Sequence, residues 1–358
     1  MTAERGGGSV DLGKYLIMED VTVAEAVQRI DEGKKKVVFC LRDGRLSGCF
    51  TDGDMRRYIL RDGDMEKPVS RAMNPNPVAF SLLQEEEALA FMRESLMVAA
   101  PIVNEDREVV KIYFRDELNG AEAARPLPEE IPLVIMAGGK GTRLYPYTRI
   151  LPKPLIPIGE TPIMDHIIGR FCRCGVREVY LILNHKRNMI KAYYNEADLP
   201  CRIHYVDEEQ FLGTGGGLSL MKDRVDKTFF LSNCDCLLDA DYACMYEYHK
   251  AHGNALTFIL AAKRVGIPYG VVELDQEGGV RTILEKPEYD FLVNTGIYLA
   301  EPCVLDSLKD GEHIDMPDVA KRLMAQGHRV GGYPITEKSW LDMGQLSEMR
   351  NMMKELGL

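Results

Sequence analysis

The sequence predicts an α/β chain: a mainly parallel sheet over residues 132–358, preceded by a smaller α+β module over residues 1–120, with a linker at 121–131. Three observations carry this reading. From residue 131 onward, apolar runs of strand length alternate with stretches of helix length, the βαβ pattern that builds a parallel sheet. A short apolar run at 132–136 opens into a glycine-rich turn, Ala137-Gly138-Gly139-Lys140-Gly141. The stretch 119–131 is polar and punctuated by two prolines, a composition break between two apolar-periodic regions.

The upstream module contains an internal repeat of about sixty residues, visible as pattern. The first copy reads as a helix at 23–30, a strand at 36–40, a turn at Asp43-Gly44 and a strand at 46–50 leading into Thr51-Asp52-Gly53-Asp54. The second reads as a helix at 86–97, a strand at 98–103, a turn at Glu105-Asp106 and a strand at 109–113 leading into Phe114-Arg115-Asp116-Glu117. Downstream, strands are expected at 176–183, 202–206, 228–231 and 255–261, and helices at 162–173 and 241–251. Ligands of such a sheet gather at the carboxyl ends of its strands.

Composition bounds the function. With 46% hydrophobic and 28% charged residues, the 358-residue chain has the make-up of a soluble globular protein, and no apolar run reaches membrane-spanning length. Residues 1–10 lack the apolar core of a secretory signal, so a cytoplasmic protein is expected. Nine cysteines, an odd number, suit a reducing compartment, and Cys172-Arg173-Cys174 and Cys234-Asp235-Cys236 are too closely spaced for a common zinc site. A net charge of −11 argues against nucleic acid as a partner, whose phosphate backbone needs a broad cationic face.

The turn at 137–141 suits a nucleotide phosphate, because glycines let backbone amides approach where no Cβ could fit. Gly141 stands where a Walker A loop needs Ser or Thr, and the third glycine of the dinucleotide fingerprint is missing. With Thr142-Arg143-Leu144 and the following Leu151-Pro152-Lys153-Pro154, the segment resembles the signature of the sugar-1-phosphate nucleotidylyltransferases, Gly-Gly-x-Gly-Thr-Arg-Leu before Pro-Lys-Pro. The resemblance implies a Rossmann-like nucleotidyltransferase domain. It makes Arg143 and Lys153 the catalytic cations and places Ala137, Gly138, Gly139, Gly141 and Thr142 around the nucleotide.

It implies further residues. Asp235 at the end of an apolar strand and Asp342 in Trp340-Leu341-Asp342-Met343-Gly344 would hold Mg²⁺ as cofactor, although Cys234 stands where the family carries glycine. Glu209, Gln210, Gly213 and Thr214, within Glu208-Glu209-Gln210-Phe211-Leu212-Gly213-Thr214-Gly215-Gly216-Gly217, would read the base through amides and side chains, with Glu208 or Glu209 accepting from guanine. Gly270, Glu285, Lys286, Asn294 and Thr295 would meet the sugar and its phosphate.

The upstream repeat resembles a tandem pair of cystathionine-β-synthase (CBS) domains. In that family a Thr or Ser and an Asp three residues later hold an adenine nucleotide, and Thr51 and Asp54 match, whereas Phe114 and Glu117 largely do not. The same residue types make a good turn and helix cap, so a ligand-free dimerisation scaffold stays open beside an adenylate site. Fusion of such a pair to a transferase resembles the glucosamine-1-phosphate guanylyltransferases. The expectation is a homo-oligomeric enzyme joining GTP to glucosamine 1-phosphate, with a uridylyltransferase or a mannose- or heptose-1-phosphate guanylyltransferase as the alternative. A nucleotide-sensing module with an inactive transferase domain is the alternative of another class.

Overall fold

The computed structural model describes residues 11–95, 97–115, 125–344 and 346–355, which divide into two units, Met1–Ala123 and Ala124–Leu358. In the first, the repeat seen in the sequence folds as one motif used twice. Strand β1 (Leu16–Met18), helix α1 (Val23–Gly33), β2 (Val37–Arg42) and β3 (Arg45–Thr51) are followed by helix α2 (Asp52–Arg61). The second copy has β4 (Phe80–Ser81), α3 (Glu85–Glu94), β5 (Ala99–Val103) and β6 (Val109–Phe114). Each copy pairs its first strand parallel to the second and its second antiparallel to the third. Glu117, the second-copy counterpart of Asp54, lies outside the described residues.

Local chemistry explains these elements. Thr22 and Glu25 form a reciprocal capping box that starts α1, and Val23, Ala26 and Ile30 line its buried stripe at helical spacing. The β2–β3 hairpin turns on Asp43 (φ 52°) and Gly44 (φ 79°), the left-handed pair that a two-residue hairpin demands. A shared apolar cluster joins Val37, Phe39 and Leu46 of the first copy to Ala99, Val109, Ile112 and Phe114 of the second.

The second unit is built on a seven-stranded sheet of order β11-β10-β7-β12-β17-β14-β18. Its members are β7 (Leu133–Met136), β10 (Glu178–Leu183), β11 (Arg202–Asp207), β12 (Phe229–Asn233), β14 (Leu256–Gly266), β17 (Glu288–Ala300) and β18 (Val330–Thr336). Four of the six pairings are parallel and β17 alone runs against the rest, so the mainly parallel expectation holds. The central strands are apolar throughout because both faces are covered: Leu133 and Ile135 of β7 enter one core, Val134 the other.

Smaller elements complete the unit. A short hairpin, β8 (Pro157–Ile158) and β9 (Thr161–Pro162), precedes the helix Ile163–Arg173. Strand β13 (Cys236–Leu238) pairs antiparallel with β19 (Trp340–Asp342), and β15 (Val271–Leu274) with β16 (Val280–Leu284). Residues 125–131 belong to this unit: the Leu127 amide donates to the Cys174 carbonyl at 2.8 Å, and Arg125 pairs with Glu247. No helix among the described residues is long and apolar enough to cross a membrane.

Candidate active site

Four adjacent parallel strands end on the same edge of the sheet, and each delivers a candidate residue there. Met136 of β7 stands level with Ile182 of β10 and with Asn233 of β12, while Leu183 of β10 stands level with Asp207 of β11. The segments that follow are therefore neighbours: the glycine turn after β7, Asn184 to Lys186 after β10, Glu208 after β11 and Asp235 after β12.

The glycine turn uses its glycines unequally. A Cβ on Gly138 would lie 2.7 Å from a Glu208 carboxylate oxygen, and one on Gly141 (φ 64°) would lie 2.9 Å from Thr148 Cγ2 and 3.0 Å from Lys153 Cβ, so neither position admits a side chain without displacement. Gly139 faces open space. The three-residue helical turn Thr142–Leu144 follows, with Leu144 buried and Thr142 and Arg143 exposed. The next loop is pinned by Lys186, whose ammonium donates to the carbonyls of Thr148, Arg149 and Ile150 at 2.7–2.9 Å. That anchor lies directly before Lys153.

The carboxylates are brought together by a clasp. β13 and β19 pair Cys236 with Asp342, and the Met343 amide donates to the Asp235 carbonyl at 2.9 Å. Ligand atoms of Asp235, Cys236 and Asp342 lie within 4.8 Å of one another. Lys153 forms an ion pair with Asp235 in which both side chains are largely buried. Burial, the largest single influence, would lower the Lys153 ammonium, but the Asp235 charge and hydrogen bond together with Cys234 and Cys236 outweigh it and hold the pKa above the ordinary value. Burial, then the neighbouring Asp235 charge, pushes the Asp342 carboxyl up to about 6, against the pull of Lys153 and Arg143. A Cβ on Gly344 would crowd Asp342 at 2.7 Å and Glu348 at 3.2 Å, and the buried Glu348 Oε2 has no hydrogen-bond partner among the described residues.

This donor set fits a divalent cation. Two carboxylates forced close at cost, with a third carrying an orphaned oxygen beside them, form a concentration of negative charge that Mg²⁺ would neutralise while keeping waters and substrate oxygens as its other ligands. Cys234, the departure from the family's glycine, is absorbed because its side chain packs into the apolar core.

The base loop differs from its expected use. The amides of Leu212, Thr214, Gly215 and Gly216 donate to Glu208, Asp315 and, for the last two, Ile314. Four of the amides expected to read a base are thus engaged inside the protein. Among the described residues, the Gly213 amide has no protein acceptor. The glycines serve packing: a Cβ on Gly216 would lie 2.1 Å from the Glu312 carbonyl oxygen. The Thr214 hydroxyl is likewise engaged, donating to Asp315 and accepting from the Met316 amide. Glu209 is exposed and pairs with Arg187 at 3.2 Å, whereas Glu208 is buried beside Gly138, and burial raises its carboxyl. Of the two acids, Glu208 is the one at the glycine turn. Gln210 is exposed.

On the sugar side, Gly270 and Glu285 meet, a Cβ on the glycine lying 3.2 Å from the carboxylate, and Lys286 is exposed with a left-handed backbone (φ 47°). Asn294 is exposed and donates to the Tyr298 hydroxyl at 2.8 Å. Thr295 departs from the expectation. It is buried and its hydroxyl donates to the Ile259 carbonyl at 2.8 Å, because alternation along β17 turns it into the sheet while Asn294 turns out.

In the first unit, Thr51 and Asp54 form a reciprocal capping box that opens α2, and Asp54 also pairs with Arg57. They line a cavity of about 310 Å³ only in part: Asp54 is joined there by Arg57, Tyr58, Arg61, Arg71 and Asn74, without Thr51.

Sequence comparison places this geometry. A model of the nucleotidyl transferase family matches residues 133–357. The chain belongs to that family. It is 33% identical over 223 residues to a mannose-1-phosphate guanylyltransferase of Mycobacterium tuberculosis, covering 60% of this chain and 61% of that one. It is 33% identical over 227 residues to the bifunctional protein GlmU of Methanococcus maripaludis, covering 59% and 51%. The chain thus spans about three fifths or less of the length of the curated relatives it matches. A Bacillus anthracis chain assigned as a glucose-1-phosphate thymidylyltransferase, solved with a sucrose, shares the fold at a TM-score of 0.51 and 21% identity, over 63% of this chain and 94% of that one.

Sequence reasoning missed Lys186, Asp315 and Glu348. Lys186 sits in an ordinary polar turn, Asp315 acts on the Thr214 segment far away in the chain, and Glu348 opens the helix Leu346–Glu355 with no motif of its own. Cys236 was readable, being adjacent to Asp235.

Proposed function

We propose that the second unit transfers a nucleoside monophosphate from a nucleoside triphosphate to a sugar 1-phosphate, releasing pyrophosphate. The observation that carries this is the meeting of Lys153, Asp235 and Asp342 at the strand ends beside the open face of Gly139. An oxygen of the sugar phosphate, already anionic, attacks the α-phosphorus in line, and the bond to the pyrophosphate oxygen breaks. No covalent enzyme intermediate is needed, so the protein's task is positioning and charge stabilisation. Lys153, kept protonated by Asp235, and Arg143, exposed at the turn, supply fixed positive charge to the phosphates. Lys286 holds the incoming sugar phosphate, and Gly270, Glu285 and Asn294 meet the sugar hydroxyls. Mg²⁺ held by Asp235 and Asp342 would neutralise charge on the phosphate oxygens.

The favoured substrates are GTP and glucosamine 1-phosphate. Relatives named mannose-1-phosphate guanylyltransferase support the base, and the exposed Glu209 carboxylate after β11 offers an acceptor for guanine N–H groups. An acceptor left unpaired by another base costs about 1–3 kcal/mol, or roughly 10-fold to 100-fold in selectivity. The first unit acts as a CBS-type regulatory or dimerising pair, its adenine nucleotide held in the cavity beside Asp54. Pyrophosphate release across a panel of nucleoside triphosphates and sugar 1-phosphates tests the reading: GTP with an amino-sugar phosphate is expected to give the highest kcat/KM, and UTP exceeding GTP with every sugar would overturn the guanylyltransferase assignment. Absence of release with every pair would leave only the sensing role.

A further inference from the structure

Cys236 follows Asp235 directly and is buried, 3% exposed. A small buried cysteine ordinarily packs as a hydrophobe. Cys236 belongs to the apolar core cluster, but pairing of β13 with β19 also sets it opposite Asp342, and its sulfur lies 3.4 Å from Asp235 Oδ1 and 4.0 Å from Asp342 Oδ1. The thiol thus faces the two carboxylates that would hold the cation.

We propose that Cys236 is a third protein donor of this cation site and makes the site selective for thiophilic divalent ions, of the Zn²⁺ and Cd²⁺ class, over Mg²⁺. The inference rests on the reading that Asp235 and Asp342 hold a divalent cation. Mg²⁺ takes oxygen ligands and gains nothing from sulfur, whereas a thiolate with two carboxylates suits a borderline or soft ion. Binding breaks the S–H bond: the sulfur electron pair becomes the metal bond and the proton leaves to solvent. The three donor atoms, all within 4.8 Å of one another, can meet on one ion. Lys153 competes for Asp235 and must share it when the ion enters. In this chain the ordinary cofactor therefore shares its place with a tighter-binding inhibitor or substitute.

The test uses the full chain without nucleotide or sugar. Cd²⁺ is titrated while the sulfur-to-metal charge-transfer absorption in the ultraviolet is followed. One equivalent of Cd²⁺ is expected to give a saturating band that a large excess of Mg²⁺ removes. Cys236→Ser should abolish the band and weaken Cd²⁺ binding by more than about 100-fold, since even outer-shell changes cost roughly 10-fold to 100-fold. Asp342→Asn, which keeps the thiol, should weaken binding while leaving the circular dichroism unchanged. No band in the parent, an equal band in Cys236→Ser from the other cysteines, or Cd²⁺ affinity indifferent to Asp342→Asn would each overturn the proposal. The outcome is separable from that of the proposed function. Mg²⁺-supported turnover without a band sinks the thiol assignment alone, and a band without turnover sinks the transferase reading alone.

Discussion

Asp54 and Asp235 both stand just past the end of a strand, β3 and β12, and both are more than nine-tenths buried. Their surroundings set them apart. Asp54 accepts from the Thr51 amide and hydroxyl and pairs with Arg57, all within one turn of its own helix. Asp235 meets Lys153 and Asp342, groups that arrive from distant parts of the chain. A carboxylate satisfied locally stabilises a helix start, whereas one whose neighbours are charged and themselves strained by proximity is prepared for a ligand. The difference between the two units lies in where the partners come from.

The largest expected effect sharpens that contrast. Asp235→Asn keeps size and removes charge, so kcat should fall by at least about 10³-fold with the fold intact. Near-parental turnover in saturating Mg²⁺ would break the metal assignment. Next come the cations. Arg143→Ala or Lys153→Ala should each lower kcat by about 10²-fold, the scale of one preorganised charge-stabilising group. If only KM rises, the residue binds the ground state and nothing more.

Asp54→Ala should behave oppositely to Asp235→Asn. Loss of the cap is expected to cost the first unit about 1 kcal/mol, seen as a lower urea midpoint, while kcat stays at the parental value. Calorimetry on the same variant decides the nucleotide question: adenylate binding present in the parent and lost in the variant supports a ligand site, and none in the parent leaves Asp54 as a cap alone.

The smallest effect lies at the opposite edge of the sheet. His249 is fully buried between Thr257 and Glu301, and burial holds its pKa below the ordinary value of 6.5 despite the Glu301 charge. The unfolded chain then binds the proton more readily, so stability is present above pH 6.5 and is lost as pH falls below it. A shallow acid slope is expected in the melting temperature, below the limit of about 1.4 kcal/mol per pH unit for one proton. It should flatten in His249→Gln.

What the sequence made legible followed from short-range rules. Strand β7 and its glycine turn, the helix Ile163–Arg173 and both copies of the upstream motif appear where periodicity and turn chemistry place them. Asp235 and Asp342 were legible as residues, through the motifs around them. Their joint hold on a cation was implied by the family resemblance, but the clasp that brings them together was not legible, because it depends on two three-residue strands too short to show a period. Thr295 and the 212–216 amides were misjudged for a related reason. Their partners, Ile259, Asp315 and Ile314, come from other elements, and a motif says which residues stand together in sequence but not which polar groups the fold has already used. The long β14–β17 pairing and the β15–β16 hairpin were likewise invisible, since Val272, Leu274, Val280 and Ile283 are exposed and leave no core-facing alternation to read.

The clasp of β13 on β19 has a temporal meaning as well as a spatial one. During synthesis, all seven strands of the main sheet, ending with β18 at Thr336, leave the ribosome before Asp342 does. The proposed cation site is therefore completed only after the last strand of the main sheet, by Trp340–Asp342. On the reading that the two aspartates gather a cation, that competence is acquired late, after the last strand of the main sheet has been made.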